Sequence, residues 1–277
     1  MPSFRVSSDI RKLSASTTDF KISYNETTRE CFLILFIETS VKPSDGDKEI
    51  ALDPGIRIFQ TGYSPDNLIV EIGRGAQSKL KQELKIIDEM ISKSTRRNAK
   101  ANHRKRKSLR RAIARKERRV HNMVDDLHCK TASFLTKNFN HIILPEFRVA
   151  DMVTKPNINS VTKRLMYRYR FCDFRERMKY KCQAANVKLD LVDESFTSKT
   201  CTCCGTLNQK LKSEMIFTCG SCGLKILRDH NGARNIYIKT MGATPTLTAD
   251  TAEGECLRVP SKTRQLLSVS DLQVRTN

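Results

Sequence analysis

The stretch Thr218–Asn235, TCGSCGLKILRDHNGARN, decides how the rest of the chain is read. Cys219 and Cys222 have the spacing of one knuckle of a metal ribbon, and seven residues past Cys222 a single aspartate, Asp229, opens a helix. Upstream, Cys201 and Cys204 repeat the x-x spacing, fourteen residues separate the two pairs, and Gly205 and Gly223 follow the second cysteine of each. Those glycines relieve the turn in which backbone N–H groups point at sulfur. Four thiolates so spaced suit tetrahedral Zn2+ with bonds of about 2.3 Å, and a closed four-cysteine site is structural, with no place for a catalytic water. Cys203 is the spare; it would make a shorter knuckle than the matched spacing asks for. About thirty residues cannot build their own core, so zinc folds this ribbon, and the ribbon sets where Asp229 points.

The whole chain is 277 residues long, enough for one large domain or two ordinary ones. It carries 50 Lys+Arg against 30 Asp+Glu, a net charge of +20. That surplus attracts polyanions, with nucleic acid the first candidate and an anionic membrane surface the second. The first 30 residues are polar and lack a signal pattern. The longest apolar run, Cys31–Ile37, is too short to span a bilayer. A soluble intracellular protein is expected, with no membrane partner. Of ten cysteines, five fall between Cys201 and Cys222, and such clustering favours a metal over a secreted disulfide framework.

Outward from the ribbon, the pattern alternates between strand and helix. Residues 1–30 are Ser/Thr-rich with weak pattern, and Cys31–Ser40 is a strand candidate. Glu49–Leu52, Ile56–Tyr63 and Leu68–Ile72 read as a β-meander punctuated by Asp53-Pro54-Gly55 and Ser64-Pro65-Asp66-Asn67. From Gln77 the period becomes helical, with Leu80, Leu84, Ile87 and Ile91 on one face. A second, longer helix carries Leu109, Ile113, Val120, Met123 and Leu127, antiparallel to the first. His141–Leu144 is a buried strand, Val161–Ala185 a helix with a core stripe of Phe171, Phe174, Met178, Cys182 and Ala185, and Val187–Val192 another strand. Of the histidines, His230 is expected as an exposed helix-start residue.

Three carboxylates stand at the ends of these elements. Asp53 follows Ile50-Ala51-Leu52, Glu146 follows Ile142-Ile143-Leu144-Pro145, and Asp229 begins the last helix. Singly, each has a plain explanation as a turn residue, a solvated strand end or a helix cap. In this order they have the layout of a ribonuclease-H-like nuclease. Three acids converging at a sheet edge hold two Mg2+ ions about 3.5–4 Å apart, hard cations that take oxygen ligands.

The motifs ALDPGIRIFQTGYSP, IILPEF and TSKTCTCCG…FTCGSCGLKILRDHNGARNI resemble the RuvC-like nuclease of the TnpB/Fanzor family, relatives of the type V CRISPR nucleases. The forms LDPGIRIFQT, LPEF and RDHNGARN are similar to those of the eukaryotic and viral Fanzor branch. The resemblance covers roughly residues 31–241. It implies Asp53, Glu146 and Asp229 as the catalytic triad on two Mg2+ ions. It also implies Cys201, Cys204, Cys219 and Cys222 as zinc ligands of a target-nucleic-acid-binding ribbon, with a DNA target and a guide RNA as partners. Family members carry a long amino-terminal half with wedge and recognition domains. Here the segment 1–48 is expected to be the remnant of a wedge-like β domain.

The intervening helices are intensely basic. Lys93–Arg119 holds 14 Lys/Arg and one acid, Glu117. A solvated helix face normally mixes signs. One sign at this density calls for an anion, so Arg96, Arg97, Lys100, Arg104, Lys105, Arg106, Lys107, Arg110 and Arg111 are candidate contacts to backbone phosphate.

The expected fold is α/β: a ribonuclease-H-like (RuvC) mixed sheet with a helical insertion and an inserted four-cysteine zinc ribbon. The expected domains are a nuclease core over 49–196 with a basic helical hairpin at about 77–138, the ribbon at 197–226, the last helix at 227–241 and a disordered tail over 242–277. The expected activity is hydrolysis of DNA phosphodiesters, RNA-guided if the chain is complete. The alternatives are a truncated nucleic-acid-binding remnant without catalysis and, ranked last, a transposase. The compartment would be the nucleus in a eukaryote, otherwise cytoplasm or an infected host cell; no oligomeric state is assigned.

Overall fold

A computed structural model describes residues 19–36, 43, 46–66, 68–95, 103–154, 156–193, 197–209, 211, 214–242 and 264–265. The strands are β1 (Phe20–Asn25), β2 (Glu30–Leu35), β3 (Lys48–Pro54), β4 (Gln60–Ser64), β5 (Leu68–Ile72), β6 (Phe139–Pro145), β7 (Lys188–Val192), β8 (Ile216–Thr218), β9 (Lys225–Leu227) and β10 (Arg264–Gln265). The helices are α1 (Ala76–Thr95), α2 (His103–Asn138), α3 (Val149–Val153), α4 (Ser160–Tyr169), α5 (Phe171–Ala185) and α6 (Arg228–Met241). The chain divides into two compact units, Met1–Val41 with Glu83–Val120, and Lys42–Gln82 with His121–Asn277.

The second unit is built on a mixed sheet of order β10-β5-β4-β3-β6-β7. β3, β4 and β5 follow one another antiparallel across short turns. β6 returns parallel to β3, and β7 parallel to β6. Such parallel pairs need crossovers, supplied by α1–α2 and α3–α5. The strands at the centre are continuous apolar runs because both faces are covered. Ile50, Ala51, Leu52, Ile142 and Ile143 are fully buried. On one face, Phe59 stacks on His128 at 5.3 Å and on Phe171 at 5.4 Å, and meets Phe174 edge-on at 5.0 Å between centroids. Burial there depresses the His128 pKa to about 4. On the opposite face, α6 packs its Ile236 against Ala51 and Ile143.

In the first unit, β1 and β2 form an antiparallel hairpin that pairs Phe20 with Leu35 and Tyr24 with Cys31. Arg118 forms an ion pair with Glu30 and lies over the Phe32 ring at 5.8 Å. Lys116 of α2 bonds Glu83 of α1 at 2.9 Å, tying the two helices together.

Several expectations need correction. Residues 1–30 carry more pattern than their composition shows: Phe20, Ile22 and Tyr24 alternate and form β1. The helix expected over Val161–Ala185 is two helices broken at Arg170, which takes the left-handed conformation with φ 49. Its guanidinium holds that joint, donating to Asp125 Oδ1 at 2.8 Å and Asp173 Oδ2 at 3.1 Å. Ile91, placed on the apolar face of α1, is exposed, whereas Leu80, Leu84 and Ile87 are buried. Of the tail, the structure describes Gly242 and β10, which pairs in parallel with β5; the expectation of disorder for residues 243–263 and 266–277 lies outside the described residues.

Candidate active site

Asp53 is the next-to-last residue of β3, beside Thr61 of β4. α6 crosses this end of the strand very closely. A Cβ built on Gly232 would sit 2.4 Å from Asp53 Oδ2. Ala233, next along the helix, is fully buried against Tyr63 and Ile69. Gly and Ala at these two positions are what let the helix backbone reach the strand end. One turn earlier, Asp229 is the second residue of α6, its side chain about 25% exposed, with Arg228 Nη2 at 3.5 Å from its Oδ1. At its other end α6 is tied down by Tyr237, whose hydroxyl donates to Glu49 Oε2 at 2.9 Å. Glu49 lies 3.2 Å from His141 Nδ1, and the other ring nitrogen of His141 lies 2.8 Å from Asp190. That row of polar groups marks the amino-terminal end of the strands, and the acids mark the carboxyl-terminal end.

Asp53 and Asp229 line one cleft of about 1030 Å³. Arg57 and Arg228 add positive charge to its wall, and Phe147, Met152 and Met166 add an apolar floor. Glu146 follows β6 at the same sheet edge. Its backbone is held at both ends, the N–H donating to Val192 O at 3.0 Å and the carbonyl accepting from Arg175 at 2.9 Å. Its carboxylate, however, turns outward, bonds Arg148 at 3.1 Å and is about 45% exposed. Its neighbour Phe147 lines the cleft instead. The structure therefore sets Asp53 and Asp229 on the lining of one cleft and leaves the Glu146 carboxylate beside Arg148.

His230 corrects another expectation: it is buried, and its Nε2 meets Glu71 Oε1 of β5 at 2.9 Å. Burial works to raise the Glu71 pKa, but the bonds from His230 and Arg74 outweigh it and hold this carboxyl below the usual range. Sequence reading missed this pair because a residue at a helix start carries no periodic signal that separates inside from outside.

The ribbon is a second built site. Cys201, Cys204, Cys219 and Cys222 place their sulfurs within 4.8 Å of one another, the only such set of three or more His, Cys, Asp or Glu ligand atoms among the described residues. Cys201 and Cys222 are 3.6 Å apart, as are Cys204 and Cys219. Tetrahedral bonds of about 2.3 Å imply sulfur separations of about 3.8 Å, so the cage fits Zn2+. Both knuckles close alike: Gly205 N–H donates to Cys201 O at 2.9 Å and Gly223 N–H to Cys219 O at 3.1 Å, each glycine at φ 73. Backbone N–H groups of Cys203 and Ser221 point at Cys201 and Cys219 sulfur, both at 3.4 Å. The Thr206 hydroxyl at 3.2 Å lowers the Cys204 pKa to about 6, whereas burial pushes Cys222 up to about 11 and raises Cys201 further. A cation that stabilises all four thiolates resolves that conflict. Cys203 stands outside the set. Phe217, Leu211 and Leu224 form a small core beneath the cysteines.

Of the basic candidates, Arg104, Lys105, Arg106, Lys107 and Arg110 are exposed on α2 and Arg111 is half-buried. Arg96, Arg97 and Lys100 lie outside the described residues. Among the described residues no helix is long and apolar enough to cross a membrane.

Residues 171–236, spanning α5, β7, the ribbon and the start of α6, match the Cas12f1-like TNB domain family. A TnpB-like protein of Acanthamoeba polyphaga mimivirus is 29% identical over 228 residues, covering 78% of this chain and 42% of that protein. The chain is similar to the TnpB-like proteins of this virus. The Cas12f1 endodeoxyribonuclease of Sulfoacidibacillus thermotolerans is 31% identical over 83 residues, covering 30% of this chain and 20% of that protein. The fold agrees with the cryo-EM structure of a CRISPR-Cas12f ternary complex at a TM-score of 0.53, with 17% identity, 82% of this chain covered and 47% of that one. A Cas12f1–sgRNA–target DNA complex aligns at the same TM-score with 15% identity, covering 78% and 44%. The chain thus spans about two fifths of the length of the TnpB-like relatives it matches.

Proposed function

We propose that this chain carries the nuclease part of a transposon-associated, RNA-guided DNA endonuclease, with Asp53, Glu146 and Asp229 as the metal-binding acids. The observation that carries this reading is the contact of α6 with β3, where Gly232 leaves just enough room for the Asp53 carboxylate and Asp229 faces the same cleft. Hard carboxylate oxygens at a strand end beside an open cleft suit Mg2+, which keeps several waters. Two Mg2+ ions held there would lower the pKa of a water and neutralise charge building on the phosphodiester.

The chain's own residues do the rest. Arg57 and Arg228 on the cleft wall meet the scissile phosphate. Phe147, Met152 and Met166 bind the flanking nucleotide and exclude bulk water. Glu146 joins the other two acids by turning away from Arg148, an exposed pair that costs little to open. The basic start of α2, Arg104–Arg111, grips backbone phosphate without reading sequence. The ribbon, 197–226, contacts the target. The viral relatives and the forms LDPGIRIFQT, LPEF and RDHNGARN support a place in the Fanzor branch. The neighbour named as a Cas12f1–sgRNA–target DNA complex supports a guide RNA and a target DNA as partners.

The test is plasmid cleavage with Mg2+ and a candidate guide RNA, comparing the wild type with Asp53→Ala. Cleavage abolished by the substitution is expected, and full activity in the variant would end the assignment. The outward carboxylate of Glu146 favours one second reading, a nucleic-acid-binding remnant without catalysis. It predicts that the wild type binds single-stranded DNA and leaves it intact.

A further inference from the structure

The first turn of α6 has no conventional cap. Its N-cap position is Leu227, which offers no side-chain acceptor, and of the leading N–H groups that of Arg228 is taken by Met215 O of the ribbon at 2.9 Å. Asp229 sits in that turn. Besides the His230–Glu71 bond to β5, what holds it in place comes from the ribbon. Asn231 is fully buried and spans the backbone of the first knuckle: its Oδ1 accepts from Thr202 N–H at 3.0 Å and its Nδ2 donates to Thr200 O at 2.7 Å. Asn235, one turn on, donates to Thr200 O at 2.6 Å and to Thr197 O at 2.7 Å. The two side chains share a helix face, being four residues apart. They pair with ribbon backbone on either side of Cys201, as a neighbouring strand would.

We infer that Asn231 and Asn235 are positioning residues that make the placement of Asp229 conditional on a metal-loaded ribbon. The positions of Thr200 O and Thr202 N–H follow from Cys201 and Cys204 being held to a common ion. When the knuckle opens, both asparagines lose buried partners and the turn loosens. His230 and Glu71 hold the turn to β5 through a bond in which the knuckle takes no part. The inference rests on the nuclease reading for its consequence in catalysis, but the clamp itself is a mechanical claim.

The experiment uses the full zinc-loaded chain and reads amide hydrogen exchange over residues 228–233. Wild type stripped of zinc by a chelator, and Asn231→Ala with zinc retained, should both exchange this turn about tenfold faster than loaded wild type, with Ile236–Lys239 unchanged. Asn231→Asp, which keeps the acceptor for Thr202 and loses the donor to Thr200, should fall between. Protection of the turn unchanged in zinc-loaded Asn231→Ala would overturn the inference. So would loss of zinc from that variant, because the asparagine would then serve the ribbon and not the helix. In cleavage, Asn231→Ala should lower kcat about tenfold with KM for DNA unchanged. If the wild type cleaves nothing, the nuclease reading fails, and the exchange measurement still decides the clamp.

Discussion

Gly232→Ala is the sharpest perturbation of the candidate site. The added Cβ would stand 2.4 Å from Asp53 Oδ2 and 3.1 Å from its Cγ. Ordinary carbon–oxygen contact needs about 3.4 Å, so the carboxylate has to withdraw by about 1 Å. It is the end of a short side chain and can rotate, so the fold survives. Alanine also favours a helix interior over glycine by about 1 kcal/mol, which offsets most of the strain. The expected melting temperature therefore stays within about 4 °C of wild type. Catalysis has no such tolerance, since a displacement of about 1 Å at a reacting centre costs about 100-fold. The assay pairs thermal unfolding with a Mg2+ titration of DNA cleavage. A folded variant with kcat reduced about 100-fold and an unchanged KM is expected. Wild-type kcat at the wild-type Mg2+ requirement would show that the Asp53 carboxylate plays no part.

Three further outcomes follow from contacts described above. His230→Ala removes one of the two partners of the buried Glu71, leaving Arg74 on the other oxygen, and should cost about 1–3 kcal/mol in urea unfolding. Because the folded Glu71 pKa is depressed, its contribution is complete above the unfolded value of about 4.3 and is lost as pH falls through the lower folded value. Glu71→Gln should therefore flatten the acid limb of a stability–pH profile, and an unchanged limb would refute the pairing. Cys204→Ser should lose the ribbon's zinc while Cys203→Ser keeps one equivalent, read by metal analysis; the opposite result would move the knuckle by one residue. Replacing Arg104, Lys105, Arg106 and Lys107 by Glu should weaken nucleic-acid binding and reduce the salt slope by about 0.9 per lost duplex phosphate contact, measured by fluorescence anisotropy.

The four-cysteine cage was legible because cysteine spacing is a short-range signal, and the knuckle geometry follows from it. The central strands were legible because Ile50–Leu52 and Ile142–Leu144 are buried on both sides and read as unbroken apolar runs. What stayed hidden depended on partners distant in sequence. Nothing near Arg170 shows that Asp125 will hold it in a left-handed joint. His230 looks exposed until Glu71, 159 residues away, is brought beside it. Gly232 reads as a weak point in a helix, and only its contact with Asp53 explains a residue without a side chain there. Asn231 and Asn235 left one usable trace. Two poor helix formers four residues apart in a short helix signal side chains bonded elsewhere.

The chain order of the acids bears on the timing of synthesis. Asp53 emerges from the ribosome 176 residues ahead of Asp229 (229 − 53), and the sulfur cage lies between them. At about 5–20 residues per second, the acidic pair is separated by about 9–35 s of elongation. On the proposed function, a nascent chain would present its basic helices to nucleic acid well before its cutting centre is complete, and the last acid to arrive would be the one whose placement depends on metal supply.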